Sequence, residues 1–141
     1  GDHRDLHRVD RRQRQMCIRD REETADGLCM QLRDGRTVVF ADEPDVGVYK
    51  GKKIVAAVEI KGGIDTAGVL ERVGAAIKSL SRAKEANPES TTILILQGVS
   101  VTQQARDDLK TNQSAVNYWF TVEEMLEDEE KREKLFGLLG V

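Results

Sequence analysis

This sequence contains two carboxylates and one ammonium group whose types and spacing suit a metal-assisted catalytic site. Pro44-Asp45 is followed, after thirteen residues, by Glu59-Ile60-Lys61. Oxygen atoms are the ligands that Mg²⁺ prefers, and a bound Mg²⁺ polarises a phosphate and activates a water. We expect Asp45, Glu59 and the Ile60 carbonyl to be the metal ligands, and Lys61 to orient the water or stabilise charge on the phosphate. The alternative is a simple ion pair of Lys61 with one of these acids at a strand end.

A strand, a turn and a second strand must position these groups. The segment 53–61 (KIVAAVEIK) is apolar through its middle, which predicts a central strand buried on both faces. Because side chains two residues apart in a strand share a face, Glu59 and Lys61 are expected to project together. A second strand is predicted over 45–49, and Lys50-Gly51 is predicted to form the hairpin turn between the strands.

The length of that hairpin loop decides which acid faces Glu59. A three-residue loop over 49–51 places Asp45 on the face of Glu59, whereas a two-residue Lys50-Gly51 turn places Asp45 on the opposite face and brings Asp42 opposite Glu59. We prefer Asp45 as the catalytic acid, because a bend at Pro44 can carry its carboxylate toward the strand crossing. Asp42 is the reserve candidate.

The remaining segments predict an α/β fold. A β-meander followed by alternating helices and strands indicates a mixed β-sheet flanked by helices. The other predicted elements are a helix end over 22–33, a strand over 37–41, a helix from Asp65-Thr66 to about residue 86, a strand over 91–96, a helix over 102–112, a strand over 115–121 and one helix over 121–139.

The motif and the order of elements resemble the PD-(D/E)XK nuclease superfamily. The stretch 43–80 (EPDVGVYKGKKIVAAVEIKGGIDTAGVLERVGAAIKSL) is similar to the XcyI-like type II restriction endonucleases, and the similarity extends over most of 37–121. This resemblance implies a restriction-endonuclease-like fold, Mg²⁺-dependent hydrolysis of double-stranded DNA at CCCGGG, a homodimer, and catalytic roles for Asp45, Glu59 and Lys61. Two alternatives remain: a repair or junction-resolving nuclease of the same fold, and a non-catalytic DNA-binding module.

The first 21 residues are expected to be a non-native leader, because they resemble the translation of a sequencing adapter. We therefore assign residues 22–141 to the nuclease core and expect that core to be truncated at its N-terminus. Without the leader, 15 basic and 21 acidic side chains remain, a net charge of −6. His3, His7 and Cys17 all belong to the leader, so the core contains neither a histidine for a catalytic triad nor a Cys/His zinc site.

Three further expectations follow from composition. Cys29, the one cysteine of the core, is expected to be a buried apolar residue. No apolar run approaches the eighteen residues of a membrane span, which favours the cytoplasm. Lysines 50, 52 and 53 could contact phosphates or simply be solvated, and the arginines and lysine at 72, 82 and 78 are expected to be structural.

Overall fold

The computed structural model describes residues 28–98 and 101–141. Six strands and four helices occur in these residues. They are β1 (Leu28–Gln31), β2 (Thr37–Phe40), β3 (Val46–Lys50), β4 (Lys53–Lys61), α1 (Val69–Ala86), β5 (Thr91–Leu96), α2 (Gln103–Thr111), β6 (Tyr118–Thr121), α3 (Val122–Glu127) and α4 (Glu129–Leu139).

The six strands form one mixed sheet in the order β1-β2-β3-β4-β5-β6. Pairing is antiparallel from β1 to β4 and parallel from β4 to β6. The predicted α/β class, with a mixed sheet flanked by helices, is therefore confirmed. The parallel half has a functional consequence, because the carboxyl ends of β4, β5 and β6 meet at one edge of the sheet, where open α/β sheets place their sites.

Apolar side chains cover both faces of the sheet. One cluster packs α1 and α2 on the first face and contains Ile54, Ala57, Val69, Val73, Ala76, Leu80, Ala83, Leu94, Leu96, Ala105, Leu109 and Val116. The second cluster packs α4 on the other face and contains Val58, Ile93, Ile95, Phe120 and Leu135. Since both β4 and β5 contribute to both clusters, the central strands are buried on two sides, as their continuous apolar sequences predict.

The β3–β4 hairpin differs from both predicted loops. Its turn residues are Gly51 and Lys52, because Lys50 pairs with Lys53. Gly51 has a φ of +63°, a conformation that favours glycine. Tyr49 pairs with Ile54 but Val48 pairs with Ala56, so Val55 is an extra residue that forms a β-bulge in β4.

Four predicted elements need correction, two of them in the C-terminal region. Residues 28–31 form strand β1 rather than the end of a helix, because the Asp34-Gly35 turn joins them to β2 and Cys29 pairs with Val39; residues 22–27 lie outside the described residues. Helix α1 begins at Val69, after Gly68, because the Asp65 carboxylate accepts a hydrogen bond from Arg72 (2.9 Å) instead of capping the helix.

The C-terminal region contains two helices instead of the single predicted one. Asp128 separates α3 from α4, because its carboxylate accepts a hydrogen bond from the Lys131 N–H and so begins a new helix. Strand β6 begins at Tyr118 and not at residue 115. Just before it, Asn117 and Thr92 exchange backbone-to-side-chain hydrogen bonds of 3.1 and 3.2 Å in place of the ladder.

Cys29 is buried, as expected, but it is disulfide-bonded rather than free. Within residues 28–98 and 101–141, no helix has the length and apolar character needed to cross a membrane.

Candidate active site

Asp45 lies immediately before β3, beside the carboxyl end of β4. The last pair of the β3–β4 ladder is Val46 with Val58, so continuing this register by one residue places Asp45 opposite Glu59. The Asp45 Oδ2 atom accepts a hydrogen bond of 2.6 Å from the Ile60 N–H. Asp45 thus reaches β4 through its carboxylate, at the point where the two strands separate.

Pro44 explains why the ladder ends here. Two residues beyond the last pair, the same register would place Pro44 opposite Ile60, but proline has no N–H to donate to a neighbouring carbonyl. The N–H and C=O of one strand residue point to the same neighbouring strand, so the Ile60 carbonyl faces β3 beside the Asp45 carboxylate. Pro44 therefore cannot supply the ladder donor for this carbonyl.

Glu59 is the most deeply buried charged group of this region, with 1% of its surface exposed. Ser79, on α1, donates a hydrogen bond of 2.7 Å to its Oε1 atom. The Lys61 Nζ atom lies 3.4 Å from its Oε2 atom, and the Lys61 side chain is 29% exposed. One carboxylate oxygen is therefore held by the helix, while the other faces an ammonium that solvent can reach.

Burial raises the pKa of Glu59 above the ordinary carboxyl value, and the negative charge of Asp45 raises it further. The hydrogen bond from Ser79 and the positive charge of Lys61 act in the opposite direction and lower this pKa. Two acids close together in a partly dry site favour binding of a cation, because a cation relieves both the repulsion and the burial cost.

The structure thus brings Asp45, Glu59, Ile60 and Lys61 together at the carboxyl end of β4. Asp42 is exposed and lies outside the β3–β4 ladder. Neither of the two predicted loops is correct. Asp45 shares the face of Glu59 because a turn one residue further along is combined with the Val55 bulge.

Ser79 is a site residue that sequence reasoning missed. It lies on the buried side of α1, in the same stripe as Ala76, Leu80 and Ala83. A single hydroxyl at an apolar helical position, opposite a strand that carries a buried acid, was the signal that could have identified it.

Gln97 was also missed. It follows β5 directly, and its Oε1 atom accepts a hydrogen bond of 3.2 Å from the Gly63 N–H. Because Lys61 pairs with Leu96, this hydrogen bond connects the loop after β4 to the residue that directly follows β5. No local pattern in the sequence marks this contact, because it depends on the parallel pairing of β4 with β5.

The donor set fits a hard cation with an incomplete protein shell. In the part of the chain that the structure describes, no group of three or more His, Cys, Asp or Glu side chains could hold a metal ion. The ligands that the candidate site could provide are the carboxylates of Asp45 and Glu59 and the carbonyl of Ile60, and all of them are oxygen atoms. This set suits Mg²⁺, which characteristically binds one or two carboxylates and keeps several waters.

Comparison of the chain with models of known protein families, with curated proteins and with solved structures finds no match in any of the three. The nuclease interpretation therefore depends on the sequence motif and on the geometry of this site.

Proposed function

We propose that this protein is a metal-dependent endonuclease of restriction type that hydrolyses phosphodiester bonds in double-stranded DNA. The observation that supports this most strongly is the meeting of Asp45, Glu59 and Lys61 where β3 and β4 separate. A simple ion pair requires no second acid.

Each residue has a separate task in the proposed reaction. Asp45, Glu59 and the Ile60 carbonyl would hold Mg²⁺, which when bound supplies Lewis-acid chemistry at the scissile phosphate. Ser79 fixes the Glu59 carboxylate in one orientation. Lys61, partly exposed, donates hydrogen bonds to a phosphate oxygen or to the attacking water, and its charge stabilises the charge that develops in the transition state.

The finer features of this proposal come from the resemblance to XcyI-like endonucleases. They are recognition of CCCGGG and a homodimeric working unit; the cytoplasmic location is proposed separately, from the lack of an apolar run of membrane-span length in the sequence. A two-fold symmetric sequence suits a two-fold symmetric dimer, because each subunit can then cut one strand.

Plasmid cleavage with purified protein tests the proposal directly. We expect cutting that requires Mg²⁺, and a loss of roughly 100-fold or more in rate for Lys61→Ala and Asp45→Asn, since both remove groups acting on the transition state. Asp42→Asn is the matched control, because Asp42 is an exposed acid three residues from Asp45. We expect this variant to keep its activity. Metal-dependent cutting that survives both Lys61→Ala and Asp45→Asn would overturn the site assignment.

A further inference from the structure

A cleft of about 330 Å³ lies between the β3–β4 hairpin and the second half of α1. Lys52 and Lys53 line it from the hairpin, and Arg82 lines it from the helix. Pro44 and Ser79 lie in the wall of the same cleft. Two elements far apart in sequence therefore bring three cationic side chains to one concave surface.

The charge of this cleft is locally positive on an acidic protein. Lys52 and Lys53 are exposed, and neither makes an ion pair with any residue in 28–98 or 101–141. Arg82 forms an ion pair with Glu43, and both side chains are more than half exposed. The net charge of the whole chain is −3, so this surface has the opposite sign to the molecule that carries it.

The cleft is continuous with the candidate active site. Ser79 lines the cleft and also donates its hydroxyl hydrogen bond to Glu59. Pro44 lines the cleft and directly precedes Asp45. Lys53 and Glu59 lie on the same strand six residues apart, which corresponds to about 17–20 Å at a rise of about 3.3 Å per residue. That length matches about five base-pair steps of a duplex with a rise of about 3.4 Å.

We propose that this cleft binds the sugar–phosphate backbone of duplex DNA next to the scissile bond. Lys52 and Lys53 contact successive phosphates. The ion pair of Arg82 with Glu43 opens, and Arg82 binds a further phosphate in place of the Glu43 carboxylate. This inference rests on the proposed function, because it takes duplex DNA as the substrate. It adds the direction in which the DNA leaves the site, along the hairpin toward its turn.

The test measures binding of a labelled duplex by fluorescence anisotropy, with a chelator present so that nothing is cleaved. Each phosphate contact contributes about 0.9 to the slope of log K against log salt concentration. We expect Lys52→Ala and Lys53→Ala each to weaken binding several-fold and to reduce this slope by about 0.9. Glu43→Gln acts in the opposite direction and strengthens binding, because it frees Arg82 for phosphate. Lys110→Ala is the control, since Lys110 is an exposed lysine on α2, away from the cleft.

The outcomes separate this inference from the proposed function. Changes in the slope for Lys52→Ala and Lys53→Ala, with no cleavage under any metal condition, support the cleft and overturn the nuclease. If cleavage is metal-dependent but the salt-dependence slopes of Lys52→Ala and Lys53→Ala equal that of Lys110→Ala, the nuclease is supported and the cleft is overturned. Weaker binding by Glu43→Gln overturns the proposed exchange at Arg82. Binding of inorganic phosphate to the protein, together with no detectable binding of the duplex at matched ionic strength, overturns DNA as the ligand.

Discussion

Replacing Glu59 by glutamine should stabilise the metal-free protein at neutral and alkaline pH. Because burial raises the pKa of Glu59, its ionised form is held in the folded state at a cost, and each unit of pKa difference costs about 1.4 kcal/mol. Glutamine removes this cost and still accepts the hydrogen bond from Ser79. It loses the contact with Lys61, a partly exposed pair at 3.4 Å that contributes at most about 1 kcal/mol.

The sign of the pH dependence follows from the raised pKa. Stability from Glu59 is fully present at a pH below the ordinary carboxyl pKa, where the group is neutral, and is lost as the pH rises through the higher folded-state pKa. The advantage of Glu59→Gln should therefore be greatest near pH 8, where Glu59 is ionised, and should disappear near pH 4; each 1 kcal/mol gained corresponds to roughly 3–6 °C in Tm for a domain of this size.

Thermal unfolding followed by circular dichroism, with a chelator present, measures this difference. Glu85→Gln is the control for removing one acidic charge, because Glu85 is an exposed residue of α1. Added Mg²⁺ should raise the Tm of the wild type and not that of Glu59→Gln, since the variant lacks one metal ligand. A Glu59→Gln variant less stable than the wild type near pH 8 would refute the reasoning. It would show that Ser79 and Lys61 more than compensate for the burial of this carboxylate.

Three further predictions address α1 and the hairpin. Ser79→Ala should lower the cleavage rate and shift the acidic limb of the pH–rate profile to higher pH, because the Ser79 hydrogen bond lowers the pKa of Glu59. Ser79→Thr keeps the hydroxyl and should restore the profile. An unshifted profile for Ser79→Ala would show that Ser79 has only a structural role. Gly74→Ala should stabilise the fold by about 0.5–1 kcal/mol in urea unfolding, because Gly74 is an exposed helical position where a methyl group meets nothing within 4 Å. Gly51→Ala should destabilise it by about 1 kcal/mol because its φ is positive, and equal effects at the two glycines would contradict this argument.

Continuous apolar runs made parts of the fold predictable from the sequence. The bounds of β4 and β5 agree with prediction because the middle of each strand is a continuous buried apolar run. The end of α1 at Ala86 was predictable from Asn87-Pro88. Strand β1 was not predictable in the same way, because its assignment depends on pairing with β2 and its own sequence carries no strong period.

The site was predictable in composition but not in its geometry. That Glu59 and Lys61 lie on the same face could be predicted from the two-residue period of a strand. The position of Asp45 depended on the turn residues and on the bulge at Val55, and neither follows from local propensity. The contact of Ser79 with Glu59 depended on how α1 packs on the sheet, which is a property of the assembled fold.

Pro44 has a more specific effect than the bend that its residue type suggests. A different residue at this position could donate its N–H to the Ile60 carbonyl and extend the β3–β4 ladder by one pair. Both polar groups of Ile60 would then be committed to the sheet, and the Asp45 carboxylate would lose its hydrogen-bond donor on β4. By ending the ladder, proline withholds a backbone donor from the Ile60 carbonyl, on the strand where Asp45 is bound and Glu59 is buried. The incomplete pairing of two strands thus provides the oxygen atoms that a hard cation requires.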